Sequence, residues 1–134
     1  MRHVEVFDTT LRDGLQVEGV SATVDDKLRI AEQLDLLGVH FIEGGWPGAN
    51  PKDIEFFARA KRELDLSTST LVAFGSTRRP RGKVDDDATL RNLIEAETSA
   101  VCIVAKSSEY QVVEALQTTL DEGAAMIADS VRYL

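Results

Sequence analysis

The sequence is poor in cysteine, with Cys102 alone among its 134 residues. A single cysteine excludes an intrachain disulfide and a cysteine metal cluster, and it favours a reducing, cytoplasmic compartment. Cys102 lies in the apolar run AVCIVA, where a free thiol behaves as a small hydrophobic side chain. We expect it to pack in the core, because no base that would activate a thiol nucleophile is evident nearby.

Long apolar runs and an excess of positive charge are also missing. No segment approaches the about 18 apolar residues of a membrane span, and the opening MRHVEVFD has no apolar run of signal-peptide length. The formal net charge is −8 at pH 7, which opposes nucleic acid and anionic membrane surfaces by charge repulsion. We therefore expect a cytoplasmic protein that binds neither nucleic acid nor membranes.

The composition is that of a globular domain with a hydrophobic core. Hydrophobic residues make up 43% of the chain and charged residues 28%, which is typical of folded proteins of this size. No low-complexity tract or linker interrupts the sequence. We therefore treat 1–134 as one domain.

Apolar strand-like and amphipathic helix-like segments alternate four times. The predicted strands cover 3–8, 39–43, 69–74 and 100–105, and the predicted helices run from Thr23 to Gly38, from Asn50 to Leu64, over 87–97, and from Ser108 onward. Strands that alternate with helices predict an α/β fold with a parallel sheet. The strands are continuously apolar, which is typical of strands covered on both faces.

Polar and glycine residues follow each predicted strand. The segments are TTLRDG, GGWPG, GSTRRP and KSS, whereas the turns that precede the strands are plainer. Ligands of parallel α/β folds bind at the carboxyl ends of the strands. The sequence therefore predicts one functional face, formed by these four segments.

The segment DTTLRDGLQ (8–16) resembles the signature of the metal-dependent TIM-barrel lyases and synthases that include isopropylmalate, homocitrate and citramalate synthases and hydroxymethylglutaryl-CoA lyase. The citramalate synthase branch is resembled by EGVSATVDDKLRIAEQLDLLGVHFIEGGWPGANPKD, by AFGSTRRP and by EALQTTLDEGAAMIADSVRYL. The family barrel has eight β/α units, whereas this chain has four. The resemblance implies that residues 1–134 are the N-terminal half-barrel of an HMGL-like, pyruvate carboxyltransferase-type TIM-barrel catalytic domain.

The resemblance also implies an activity, a Claisen condensation of acetyl-CoA with pyruvate that gives citramalate and CoA in isoleucine- or leucine-type biosynthesis. Isopropylmalate or homocitrate synthase is an alternative, because these enzymes differ in the 2-oxo acid and one methylene changes binding by only about 1–3 kcal/mol. A non-catalytic remnant or a small α/β binding domain is the other alternative.

Several site residues follow from the resemblance. Asp13 matches a metal ligand, for Mg²⁺, Mn²⁺ or Zn²⁺, although spacing alone favours a turn or helix-cap residue. Arg12 matches the residue that stabilises charge on the ketone oxygen. Gln16 is expected to hydrogen-bond nearby, Glu43 to orient Arg12, and Phe74 to line the pocket or pack in the core.

The loop after the third strand and the end of the fourth are the candidates for binding CoA. Arg78 lies in a basic segment with Arg79 and Arg81, and Lys106 ends strand four. We expect Arg78 and Lys106 to bind substrate, Arg78 through the CoA phosphates, although a solvated loop is the other interpretation of the basic segment. From Lys106 the chain reads KSSEYQV, where the family usually reads KSWDLHV, so Ser108, Glu109 and Gln111 stand at the family's Trp, Asp and His positions.

The sequence lacks the family's later His-x-His pair. It contains only His3 and His40, both near the beginnings of strands and therefore expected to be structural. The remaining histidine ligands of the metal are absent from this chain, and no catalytic base can be named. We expect the isolated chain to be inactive and to associate, as a homo-oligomer or with a C-terminal half, to cover its open sheet edges.

Overall fold

The computed structural model describes residues 3–134. Within that range the strands are β1 (Phe7–Asp8), β2 (Phe41–Gly45), β3 (Thr70–Ser76) and β4 (Ala100–Val104), and the α-helices are α1 (Val24–Leu37), α2 (Pro51–Glu63), α3 (Ala88–Glu95) and α4 (Leu120–Tyr133). The sheet order is β1-β2-β3-β4, and every pairing is parallel. The predicted α/β class, element order and parallel sheet are therefore confirmed.

The first two helices begin and end where the sequence predicts. Thr23 and Asp26 form a capping box at the start of α1, and Gly38 ends that helix with a φ of 87°, a conformation that glycine adopts without strain. Asn50 caps α2 by accepting from a backbone N–H, and Pro51 occupies the first helical position. These local signals fix α1, which precedes β2, and α2, which follows it.

The N-terminal strand is shorter than predicted, since only Phe7 and Asp8 of 3–8 pair with β2. The Val6 carbonyl accepts from the N–H groups of His40 and Phe41, and the Val6 N–H donates to the His40 ring at Nδ1. Val6 is therefore held by His40 and by the first residue of β2, and regular strand pairing begins only at Phe7.

The last helix is interrupted, although the sequence predicts one helix from Ser108 onward. A π-helical turn spans Gln111–Ala115, and Gln117 then adopts a left-handed φ of 51°. Thr119 starts α4 by accepting from the N–H of Glu122. Apolar spacing carries across this break, so periodicity alone does not reveal it.

The helices pack against one face of the sheet. A Cβ on Gly44 would lie 2.7 Å from the Phe56 ring of α2, and one on Gly75 would lie 2.8 Å from Leu93 of α3. Glycine at both places lets the helices approach the strands closely. The core on this side includes Ile42 and Ala73, which are fully buried.

The opposite face, here called the inner face, carries Phe7, Phe41, Glu43, Phe74 and Cys102. Phe7 stacks on Phe41 with ring centroids 6.0 Å apart, and alternate residues of a strand share a face. Phe7 is 45% exposed, so the expectation that these strands are covered on both faces is wrong for the described residues. An apolar run shows that two faces are apolar, but it does not show that one chain covers both.

The amino-terminal end of the sheet is fixed by Asp35 of α1. Its carboxylate accepts from the backbone N–H groups of Ser67, Thr68 and Ser69 at 3.0, 2.8 and 2.6 Å. These bonds hold the pKa of Asp35 well below its ordinary value.

Within the described range, every helix is too short or too polar to cross a membrane.

Candidate active site

The turn after β1 presents Arg12 and Asp13 at the carboxyl end of the sheet. The Asp8 carboxylate accepts from the backbone N–H and the hydroxyl of Thr10 at 2.9 and 3.0 Å. The Thr9 carbonyl accepts from the N–H groups of Arg12 and Asp13. These hydrogen bonds hold the loop in its turn.

Arg12 connects three strands at this end of the sheet. Its Nε donates to Glu43 Oε2 at 2.5 Å, and its guanidinium carbon lies 4.1 Å from the ring centre of Phe74. Its Nη1 lies 3.3 Å from Asp13 Oδ1. The structure thus brings Arg12, Asp13, Glu43 and Phe74 together, as the sequence predicts, and the carboxylate and the ring fix the direction of the guanidinium.

A cleft of about 460 Å³ opens beside this group and is here called the Arg12 cleft. Arg12, Gln16, Trp46 and Phe74 are among its lining residues. Trp46 meets Phe74 edge to face, with ring centroids 5.5 Å apart. Aromatic walls with a few converging polar groups and a volume of this size are typical of small-molecule sites.

The cleft also contains an ion pair that was not predicted. Lys27 of α1 is 1% exposed, and its Nζ lies 2.6 Å from Asp53 Oδ1 of α2. Burial lowers the pKa of Lys27, and the hydrogen bond to Asp53 opposes that shift. The sequence does contain one sign of this pair. Lys27 falls on the apolar face of α1 between Val24 and Leu28, where a buried lysine needs a partner.

Cys102 lies on the inner face beside Glu43 and is half-buried. Burial raises the pKa of the Cys102 thiol, and the Glu43 carboxylate raises it further. A thiol held in its neutral form is a poor nucleophile. The expectation that Cys102 packs in the core is wrong, because its side chain is only half-buried on the open inner face.

Two predicted substrate-binding residues lie outside the Arg12 cleft. The Arg78 side chain is 6% exposed and donates to Glu122 at 2.7 Å and to Asp129 at 2.8 Å. It therefore attaches the loop after β3 to α4, and its guanidinium is already paired. Lys106 is exposed just beyond β4 and does not line the cleft.

The described residues do not by themselves form a metal site. The Asp13 side chain is 64% exposed beside Arg12 and does not line the cleft, and no group of three His, Cys, Asp or Glu side chains within 3–134 is placed to hold an ion. His3 and His40 meet edge to face at 5.7 Å, and the structural role expected for His40 is confirmed by its bond to Val6. One carboxylate falls short of the donor set that a divalent ion requires.

Comparison with known proteins identifies a matching family and several similar sequences. The HMGL-like family matches residues 3–134. The chain is 56% identical to (R)-citramalate synthase of Streptomyces coelicolor over 96% of its own length and 24% of that protein. It is 54% identical to (R)-citramalate synthase of Aquifex aeolicus over 98% of its length and 25% of that protein. The chain thus spans about a quarter of the length of the curated relatives it matches.

More distant matches extend the comparison to structure. The 2-isopropylmalate synthase of Pyrococcus furiosus is 36% identical over 98% of the chain and 25% of that protein. The crystal structure of Bacillus subtilis HMG-CoA lyase superposes with a TM-score of 0.66 at 22% identity, over 96% of this chain and 41% of the other. The four parallel strands and their helices therefore have the fold of a partial TIM barrel.

Proposed function

The chain belongs to the HMGL-like family, and on that premise we propose that it is the N-terminal part of a TIM-barrel synthase that condenses acetyl-CoA with pyruvate. The products would be citramalate and CoA. The observation that carries the proposal is the placement of Arg12, which Glu43 and Phe74 hold at the cleft. Similarity to citramalate synthases over nearly the whole chain supports pyruvate as the 2-oxo acid.

The chemistry assigns Arg12 a defined role. In the condensation the methyl group of acetyl-CoA loses a proton, its carbon forms a bond with the ketone carbon of pyruvate, and the ketone oxygen becomes an alkoxide that is then protonated. Water then cleaves the thioester and releases CoA. A guanidinium that is already oriented can donate hydrogen bonds to the developing charge without reorganising. Glu43 acts on Arg12, and Gln16 at the cleft rim supplies a further polar contact.

The aromatic pair supplies the remaining character of the proposed pocket. Trp46 and Phe74 form an aromatic wall on one side of the cleft, and a less polar surrounding strengthens the attraction between Arg12 and an anionic substrate. A longer 2-oxo acid, as in isopropylmalate or homocitrate synthases, remains the alternative within this class. The difference would depend on the space beside these two rings.

A divalent metal belongs to the proposal through the family. The family is generally dependent on a divalent metal, and we propose that Asp13 contributes one carboxylate ligand, with histidine ligands from outside this chain. Mg²⁺, Mn²⁺ or Zn²⁺ would polarise the keto group when bound. We assign removal of the acetyl methyl proton to none of the residues 3–134.

The inner face supports a proposal about association. Its apolar side chains include Phe7, at 45% exposure, and Val104, at 43%, and exposed apolar surface next to free strand edges favours association. We propose that a C-terminal half or a second copy covers it. Lys106 would then lie near the CoA phosphates, whereas Arg78 would stay paired with α4.

The proposal is tested in a hybrid enzyme. The matching first quarter of the Streptomyces coelicolor synthase is replaced by this chain, and CoA thiol release is measured with acetyl-CoA, pyruvate and Mn²⁺. We expect thiol release from the hybrid and little or none from the 134-residue chain alone. Arg12→Lys in the hybrid should abolish most turnover, because an ammonium cannot reproduce the fork geometry, while Arg29→Lys on the exposed side of α1 should not.

Robust turnover by the isolated chain would contradict the expectation that its catalytic site is incomplete without the rest of the barrel. A folded hybrid that releases no thiol would contradict the assignment as a synthase and favour a binding role. Faster turnover with a longer, branched 2-oxo acid than with pyruvate would favour the isopropylmalate alternative.

A further inference from the structure

We propose that Lys27 and Asp53 are positioning residues that fix the loop between β2 and α2 and thereby hold Trp46 as a wall of the Arg12 cleft. The inference rests on the proposed function for what the cleft binds. The arrangement of the loop itself follows from the contacts of the two side chains.

The pair is buried where a single charge would be costly. The Lys27 side chain is 2% exposed and that of Asp53 is 14% exposed, and Lys27 Nζ also lies 4.5 Å from the ring centre of Phe56. A buried ammonium requires a partner and hydrogen bonds to offset its lost hydration. Removal of Asp53 would leave the Lys27 ammonium buried without its hydrogen-bond partner, and removal of Lys27 would leave Asp53 Oδ1 without its cation.

Asp53 binds both ends of the loop. Its Oδ1 accepts from Lys27, while its Oδ2 accepts from the Trp46 backbone N–H at 3.3 Å and from Asn50 Nδ2 at 3.1 Å. Its own N–H donates to Asn50 Oδ1 at 2.9 Å. One carboxylate thus connects the residue that follows β2, the cap of α2 and a lysine of α1.

The loop backbone lies directly against the ion pair. Gly45 has a φ of 146°, and a Cβ there would come within 2.8 Å of Asp53 Oδ1 and 3.0 Å of Lys27 Nζ. Gly45 therefore packs directly on the two charged groups. Loss of either group would remove a contact that holds Gly45 and its neighbour Trp46 in place.

Trp46 transmits this position to the cleft. Its ring meets Phe74 edge to face, and Phe74 lies under the Arg12 guanidinium. Lys27 and Asp53 thus act on the substrate pocket through Trp46 and Phe74. They are absent from the chemistry proposed above, and their effect is to fix where the aromatic wall stands.

The test uses Trp46, the only tryptophan of the chain. Lys27→Met and Asp53→Asn are compared with the parent protein by Trp46 emission and acrylamide quenching, without substrate and under folded conditions checked by circular dichroism. Asp35→Asn is the matched control, because it removes a carboxylate that fixes the other end of the sheet.

We expect both variants of the pair to shift Trp46 emission to longer wavelength and to increase its quenching, while the Asp35 variant loses stability without either change. Unchanged Trp46 emission and quenching in a folded Lys27→Met protein would overturn the inference. If Lys27→Met does not fold, Asp53→Asn decides by the same criterion, since asparagine keeps the size and an acceptor oxygen. Because no turnover is measured, this result is independent of whether the proposed synthase activity holds.

Discussion

Arg12 Nε lies 2.5 Å from Glu43 Oε2, and this contact joins the turn after β1 to the end of β2. Glu43 is 1% exposed, whereas the Arg12 side chain retains 21% exposure. The buried carboxylate therefore directs a guanidinium that can still reach a ligand. Phe74 supports the same guanidinium from below.

Loss of Glu43 should weaken both the fold and the cleft. Glu43→Ala leaves Arg12 without its partner, and we expect the free energy of unfolding to fall by about 2–3 kcal/mol, which is less than for a fully buried pair because Arg12 reaches water. Glu43→Gln keeps an acceptor oxygen and should cost less. Urea unfolding of the three proteins measures this, and equal stability of the alanine variant would contradict the role of the ion pair.

Loss of the Phe74 ring should release Arg12 without unfolding the sheet. Phe74→Leu removes a cation–π contact of about 0.5–2 kcal/mol, and the Arg12 Nε–H resonance should move away from its ring-shifted position. Phe7→Leu is the control, because Phe7 lies on the same inner face but contacts Phe41. If the Arg12 Nε–H resonance stays at its parent position in Phe74→Leu, as it should in Phe7→Leu, Arg12 does not stack on Phe74.

Removal of the Arg78 guanidinium should loosen α4. Arg78→Met leaves Glu122 and Asp129 without their buried partner, so amide hydrogen exchange in α4 should become faster. Arg79→Met removes a neighbouring exposed arginine and should leave α4 unchanged. If amide exchange in α4 is as slow in Arg78→Met as in the parent, the structural role assigned to Arg78 is wrong. Arg78 would then again be a candidate for binding CoA phosphates.

Stability should fall in acid through Asp35. Its pKa in the folded protein is held below the ordinary value by three backbone N–H groups, so the unfolded chain takes up a proton at higher pH than the folded one. This contribution is complete above about pH 4, the ordinary aspartate pKa, and is lost as the pH falls toward the lower folded value.

The acid dependence is measured from urea midpoints between neutral and acid pH. Asp35→Asn should lower the midpoint at pH 7 and reduce its fall below pH 4. Asp65→Asn, at an exposed position after α2, serves as the control and should follow the parent. An Asp35→Asn midpoint that falls as steeply as the parent's would show that another group governs acid unfolding.

The parts of the site that depend on strand ends were predictable. Parallel strands place their carboxyl ends at one edge, so the order of the elements brings Arg12, Glu43 and Phe74 to one face. The resemblance then supplies their roles. Capping residues such as Thr23 and Asn50 likewise fix helix starts, because their side chains accept from the next turn's backbone.

The remaining features depend on contacts between distant segments. Nothing in the basic loop distinguishes Arg78, which finds two carboxylates on α4, from its solvated neighbours. The partnership of Lys27 and Asp53 across 26 residues requires two helices to be packed side by side. The open inner face is invisible in an apolar run, because the run does not identify what covers each side.

The most direct measurement of the central claim is a pyruvate titration of the hybrid enzyme in the presence of Mg²⁺, followed by the NMR signals of Arg12 Nε–H and the Trp46 indole N–H. We predict saturable shifts of both signals with pyruvate, weaker shifts with propionate, which lacks the keto oxygen, and loss of binding in Arg12→Met. Pyruvate that shifts neither signal, or that binds Arg12→Met as well as the parent, would contradict the account.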